Sequence, residues 1–293
     1  MQNTDTLEQI LAQLTRLADT ADARLAEERR TVGGDIDWSA LAFRWRDDGR
    51  LQAISSPSAM PIDRLHGIDR QKDRLLANTR QFVAGAPANN ALLWGSRGAG
   101  KSSLVKALLP EFVDQGLRIV EVPAHRLVDL PDLVAMLTDR PERFIVFSDD
   151  LSFEAGDGSY KALKAVLDGS LAAAPDNVLI YATSNRRHLL PEYQSENQAA
   201  QQVDGEIHHS EAVEEKISLS ERFGLWLSFY PFDQANYLAI AAKHLTALGH
   251  DACIGEDAPW ERAALRWALA RGTRSGRTAE QFARDWAGQQ QVR

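Results

Sequence analysis

A second cysteine, a long apolar run and an excess of positive charge are all missing from this 293-residue sequence. With Cys253 alone, no disulfide can form within the chain, and a reducing compartment is the expectation. No stretch approaches the ~20 consecutive apolar residues of a membrane helix, the strongest run being the short FIVF at 144–147. The opening MQNTDTLEQI has neither the basic nor the apolar block of a secretory signal, so the expected location is the cytoplasm. Basic residues number 33 against 41 acidic, a net charge of −8, which excludes an overall positive field drawing the chain onto nucleic acid or an anionic membrane. Internal repeats and low-complexity tracts are also absent. At 44% hydrophobic and 25% charged residues, what remains is a composition that buries a sizeable core. At about 100–200 residues per domain, the length allows two domains or one with an appendage.

Leu7, Ile10, Leu11, Leu14, Leu17, Ala21 and Leu25 fall at three- and four-residue spacing, and predict an amphipathic helix over 5–30 that ends near Gly33. Residues 35–61 show no clear period and read as an irregular arm. A helical pattern covers 63–83. Helix and strand then alternate, with strands expected at 91–94, 117–122, 144–148, 178–183 and 225–229 and helices at 101–109, 129–138 and 159–171. Five short apolar strands separated by helices predict a parallel sheet covered on both faces. Beyond Pro231 the pattern is helical only, at 233–249, 260–271 and 276–287. The chain thus divides into an N-terminal helix (1–34), an arm (35–61), an α/β core (62–231) and a small helical lid (232–293).

Gly95-Ser96-Arg97-Gly98-Ala99-Gly100-Lys101-Ser102 fits the phosphate-loop pattern G-x-x-x-x-G-K-[ST], between an expected strand and an expected helix. Glycines there let backbone N–H groups curl round a phosphate, and the helix N-terminus adds partial positive charge. Lys101 would reach the β and γ oxygens and the Ser102 hydroxyl would ligate Mg²⁺, with Ser103 completing the nucleotide-binding segment. Phe144-Ile-Val-Phe-Ser-Asp149-Asp150 is an apolar strand ending in two carboxylates and resembles a Walker B strand. On that likeness Asp149 holds Mg²⁺ through water and Asp150 polarises the attacking water. Many such enzymes carry Glu at the second position, and the shorter Asp suggests slow turnover.

Three further segments resemble those of the AAA+ ATPases, in the same order along the chain. Val178-Leu-Ile-Tyr-Ala-Thr-Ser-Asn185 resembles sensor 1, Leu219-Ser-Glu-Arg222-Phe-Gly-Leu resembles the arginine-finger segment, and Gly272-Thr-Arg274-Ser-Gly-Arg277 resembles sensor 2. Leu65-His-Gly-Ile68-Asp-Arg-Gln-Lys72 is similar to the segment that packs beside adenine. Within that superfamily ANNALLWGSRGAGKSSLVKALL, FIVFSDDLSFE, YATSNRRHLLPE and EKISLSERFGLWLSFYPF resemble the bacterial domain of unknown function 815 family, from about Trp38 to the C-terminus. The resemblance implies a five-stranded parallel AAA+ core in strand order 5-1-4-3-2, ATP and Mg as cofactors, and a homo-oligomeric ring or partial ring. It implies that Asn185 senses the γ-phosphate and that Arg222 completes the site of a neighbouring subunit. Arg277, at the start of the last helix, is preferred over Arg274 as sensor 2.

Residues 192–216 hold seven acids and one base, Lys216, and read as a solvated acidic flap; His208 and His209 within it make a poor metal site. Residues 260–293 carry seven arginines against Glu261, Glu280 and Asp285, a local basic patch. The sequence therefore predicts an Mg-dependent ATPase that remodels or loads a macromolecular partner. A slow ATP-binding switch or scaffold and a nucleic-acid motor are the alternatives, the second less favoured.

Overall fold

The computed structural model describes residues 36–291 apart from 59, 154–157, 169–174, 186–200, 204–205, 209–218, 251 and 253–257. The N-terminal helix expected over 5–30, Cys253, His209 and most of the acidic flap lie outside the described residues. In chain order the strands are β1 (Ala42–Trp45), β2 (Leu51–Ala53), β3 (Ala91–Gly95), β4 (Leu117–Glu121), β5 (Arg143–Ser148), β6 (Val178–Ser184), β7 (Gln201–Val203), β8 (Glu206–His208) and β9 (Leu225–Phe229). The α-helices are α1 (Asp69–Val83), α2 (Lys101–Phe112), α3 (Leu130–Thr138), α4 (Gly158–Asp168), α5 (Gln234–Ala247), α6 (Pro259–Ala270) and α7 (Gly276–Gln291).

One seven-stranded sheet runs in the order β2-β1-β4-β5-β6-β3-β9. Every neighbouring pair in it is parallel except β1 with β2. Numbered by themselves, the five strands expected from the sequence stand in the order 5-1-4-3-2, as the AAA+ likeness implies.

Strand side chains alternate between faces, and here each face has its own core. Leu93, Ile145, Phe147 and Tyr181 join α1 and α2 on one side, whereas Leu92, Phe144, Val146 and Ile180 join α3 and α4 on the other. This double burial is why these strands read as unbroken apolar runs. The first of these clusters continues into the C-terminal helices through Phe232, Tyr237, Ala264 and Phe282. It also contains a polar knot: Asn78 donates to the Tyr181 hydroxyl at 2.9 Å, and the Thr79 hydroxyl lies 3.0 Å from it. Burial pushes the Tyr181 phenol up to about 12.

The arm at 35–61 is corrected by the structure, and so is the strand count. β1 and β2 form a hairpin that adds two strands beside β4. Strands of four and three residues are too short to show a period, but Asp47-Asp48-Gly49 between Trp45 and Leu51 is a turn signal, with Gly49 at φ 73°. Phe43, Trp45 and Leu51 go into the core, and Trp45 Nε1 donates to Asp129 at 2.8 Å. Within the acidic flap, β7 and β8 pair antiparallel as a short ladder. Trp94, near the end of β3, is half-buried, with its ring centroid 6.2 Å from that of Tyr230.

Candidate functional site

The parallel registers bring the C-terminal ends of three central strands to one edge of the sheet, with Trp94 opposite Ser184 and Ser148 opposite Ala182. The loop after β3, the acids after β5 and Asn185 after β6 therefore meet. They line a cleft of about 630 Å³, within the usual size of small-molecule sites.

The phosphate loop is held by close backbone approaches that only glycine allows. Gly95 sits at φ 126°, and a Cβ on it would lie 1.9 Å from the Phe229 carbonyl oxygen, beside the Ser96 N–H to Phe229 O bond of 2.8 Å. A Gly95→Ala substitution is therefore expected to destabilise the fold by on the order of 3 kcal/mol or more, by steric conflict and lost strand pairing. Chemical denaturation measures it, and a loss of about 0.5 kcal/mol or less, the size of an ordinary surface change, would refute the tight β3–β9 junction. Gly98 meets the start of α7: a Cβ there would lie 2.8 Å from Ser275 Oγ, and the Arg277 N–H points to Gly98 O at 3.4 Å.

Lys101, the first residue of α2, is buried and donates to the carbonyls of Gly95 and Ser96 at 2.8 Å each and to Asn185 Oδ1 at 3.1 Å. Burial pushes its ammonium below the ordinary lysine value, against the pull of Asp150 and Asp149. The Ser102 hydroxyl donates to Asp149 Oδ1 at 2.5 Å. Asp150 adopts a left-handed conformation at φ 54°, which Asp tolerates better than most residues. Its carboxylate accepts from Asn185 Nδ2. Asn185 thus bridges Lys101 and Asp150.

Thr183 is the participant that sequence reasoning missed. Its hydroxyl accepts the Asp150 N–H at 2.9 Å and donates to Asp149 Oδ1 at 2.5 Å. Its place two residues before Asn185 was the sole hint in the sequence, since its partners follow β5 and come near only through strand register.

Arg97 to Ser103 line the cleft, as does Ile68, whose Cδ1 lies 3.4 Å from where a Gly100 Cβ would stand. The far end combines apolar Leu65, Phe232 and Ile240 with His66, Lys243 and His244. Burial is the chief cause pushing both imidazoles below the ordinary histidine value, with neighbouring cations, Lys243 beside His66 among them, adding to it. Arg277 lines the cleft, and Arg274 is not among its lining residues. Arg222 lies away from the cleft, just before β9, and its guanidinium pairs with Asp168 at the end of α4.

Ser102 and Asp149 offer a hydroxyl and a carboxylate in contact, an all-oxygen pair that suits Mg²⁺ sharing its shell with phosphate and water. Among the described residues no group of three His, Cys, Asp or Glu side chains forms a metal site of its own. No helix among them is long and apolar enough to cross a membrane.

A family described as "Protein of unknown function (DUF815)" matches residues 38–290. No curated protein matches the chain. Among solved structures, a Thermotoga maritima RuvB is 19% identical, with a TM-score of 0.48 over 76% of this chain and 63% of that one. This chain thus spans under two thirds of the RuvB chain's length. Aeropyrum pernix ORC1, solved in complex with DNA, is 16% identical with a TM-score of 0.48 over 74% of this chain and 58% of its own. C. elegans PCH-2 is 14% identical with a TM-score of 0.46, covering 79% and 72%.

Proposed function

The chain belongs to the DUF815 family, and from that premise we propose that it is an Mg-dependent AAA+ ATPase. In this reading ATP hydrolysis drives the remodelling or loading of a macromolecular partner by a cytoplasmic homo-oligomer. The observation that carries it is the single hydrogen-bonded chain running from the phosphate loop to both carboxylates: Lys101 to Asn185 to Asp150, and Ser102 to Asp149.

Each residue then has a task. Loop N–H groups and Lys101 bind the β and γ phosphates, while Ile68 and its apolar neighbours bury the base. Ser102 and Asp149 would hold magnesium, which neutralises charge on the transferred phosphoryl group. Asp150 accepts the proton of the attacking water, and Asn185 fixes that carboxylate and meets the γ-phosphate. Arg277 adds positive charge from the lid side.

Arg222, away from its own cleft, is assigned to the neighbour's site. There a finger is worth roughly 10³–10⁵ in rate. Mixing Arg222→Ala with Asp150→Asn tests this. Each variant alone is expected to be nearly inactive, and mixed oligomers regain part of the ATPase activity, with a maximum at intermediate ratios. Strict additivity, once light scattering has shown that the chains mix, would remove the finger from Arg222.

A slow ATP-binding switch is the second reading. It is favoured by the short Asp150 side chain, already engaged by Asn185, and by the hold of Asp168 on Arg222. Steady-state turnover with and without lysate fractions separates the two.

A further inference from the structure

The geometry points to Thr183 as the positioning residue that sets which oxygen of Asp149 faces the metal and where Asp150 begins. This rests on the reading of the cleft as an Mg-ATP site.

The argument starts with the proton on the Thr183 hydroxyl. Its oxygen accepts the Asp150 N–H at 2.9 Å, so its own hydrogen is free to point to Asp149 Oδ1, 2.5 Å away. The same Oδ1 receives the Ser102 hydroxyl at 2.5 Å and the Asp150 N–H at 3.1 Å. A carboxylate oxygen has two lone pairs, so these donors saturate Oδ1. Among the described residues no hydrogen bond reaches Oδ2, which is left to accept from a metal-bound water. Without the Thr183 hydroxyl, Oδ1 keeps only the Ser102 hydroxyl and the longer Asp150 N–H contact of 3.1 Å, so the carboxylate is held less firmly and either oxygen can compete for Ser102.

Thr183 is well placed for the task. It is 1% exposed and lies inside β6, paired with Leu93. Its β-branched side chain has little χ1 freedom on a strand. The bond to the Asp150 N–H also fixes the backbone at the one non-glycine residue with positive φ among those described. One hydroxyl thus orients both acids, the first through its side chain and the second through its main chain. Partners of this kind behind a metal ligand are typically worth about 10–100-fold in affinity or activity.

The test uses the full chain and calorimetric binding of a non-hydrolysable ATP analogue, with Mg²⁺ and with EDTA. Thr183→Val is expected to bind the analogue in EDTA within about twofold of wild type and to lose about tenfold or more of the tightening that Mg²⁺ gives. Thr183→Ser, which keeps the hydroxyl, restores it. At saturating Mg²⁺ the kcat of Thr183→Val stays below wild type, because Asp150 has lost its backbone anchor. If Thr183→Val does not fold, Thr183→Ala is compared with Thr183→Ser in the same way. Equal Mg²⁺ tightening in the hydroxyl-free variant and wild type overturns the assignment, as does a serine variant that behaves like valine. A wild-type chain that binds the analogue equally with and without Mg²⁺ instead overturns the metal reading of Asp149. Absence of any binding by wild type overturns the nucleotide reading of the cleft.

Discussion

Asp150→Asn is expected to keep ATP bound and to lose hydrolysis by about a hundred- to ten-thousand-fold, the usual worth of a general base. The substitution is a clean one here. Asn adopts the left-handed backbone at least as readily as Asp, so φ 54° is retained. The Thr183 bond uses the main-chain N–H and survives, and the new amide oxygen still accepts from Asn185. What is removed is the carboxylate's negative charge, and with it the capacity to take a proton. Phosphate release and nucleotide binding, measured on the same preparation, check the two halves. Turnover at the wild-type rate would place the base elsewhere, with Glu154, outside the described residues, the next to substitute.

Lys101→Ala acts on binding. Truncating one partner of a buried, hydrogen-bonded charge pair costs about 2–5 kcal/mol, so ATP affinity is expected to fall about 30- to 5,000-fold. The fold should tolerate the change, because two effects oppose each other. Three hydrogen bonds are lost, but so is the cost of burying an ammonium. The melting temperature is therefore expected to stay within about 3 °C of wild type.

Lys101 also gives ATP binding a pH signature. In the proposed reading the charged ammonium is what holds phosphate, and burial lowers the pKa of that group below the ordinary lysine value. Affinity is thus full at lower pH and falls as pH rises through this depressed value, earlier than an ordinary lysine would allow. Lys101→Arg, charged beyond pH ~12, should remove that alkaline limb. Unchanged ATP affinity in Lys101→Ala would sink the phosphate-loop assignment.

The sheet was legible where burial is two-sided. Strands such as FIVF and VLIYAT are apolar throughout because each face has its own core, and the alternation with helices left a parallel order as the natural outcome. The phosphate loop was legible too, since its glycines answer to backbone geometry that a pattern can capture. The hairpin was not, because the core placement of Phe43 and Trp45 depends on β4 and α3, which lie far along the chain. Thr183 escaped for a related reason. A threonine in a strand is ordinary, and its role arises only when register sets β6 beside β5. The pairing of Arg222 with Asp168 joins residues 54 positions apart, with no local signal to announce it.

The contact between Gly98 and the start of α7 has a mechanical consequence. With no side chain on Gly98, Ser275 and Gly276 sit directly against the phosphate loop, and Gly98 O accepts the Arg277 N–H. α7 has 16 residues, a rod of about 24 Å. A tilt of about 5° at its foot moves its far end by about 2 Å, at a rise of 1.5 Å per residue. If phosphate binds as proposed, a small adjustment of the loop would be passed to the foot of this helix and would be largest at its far end.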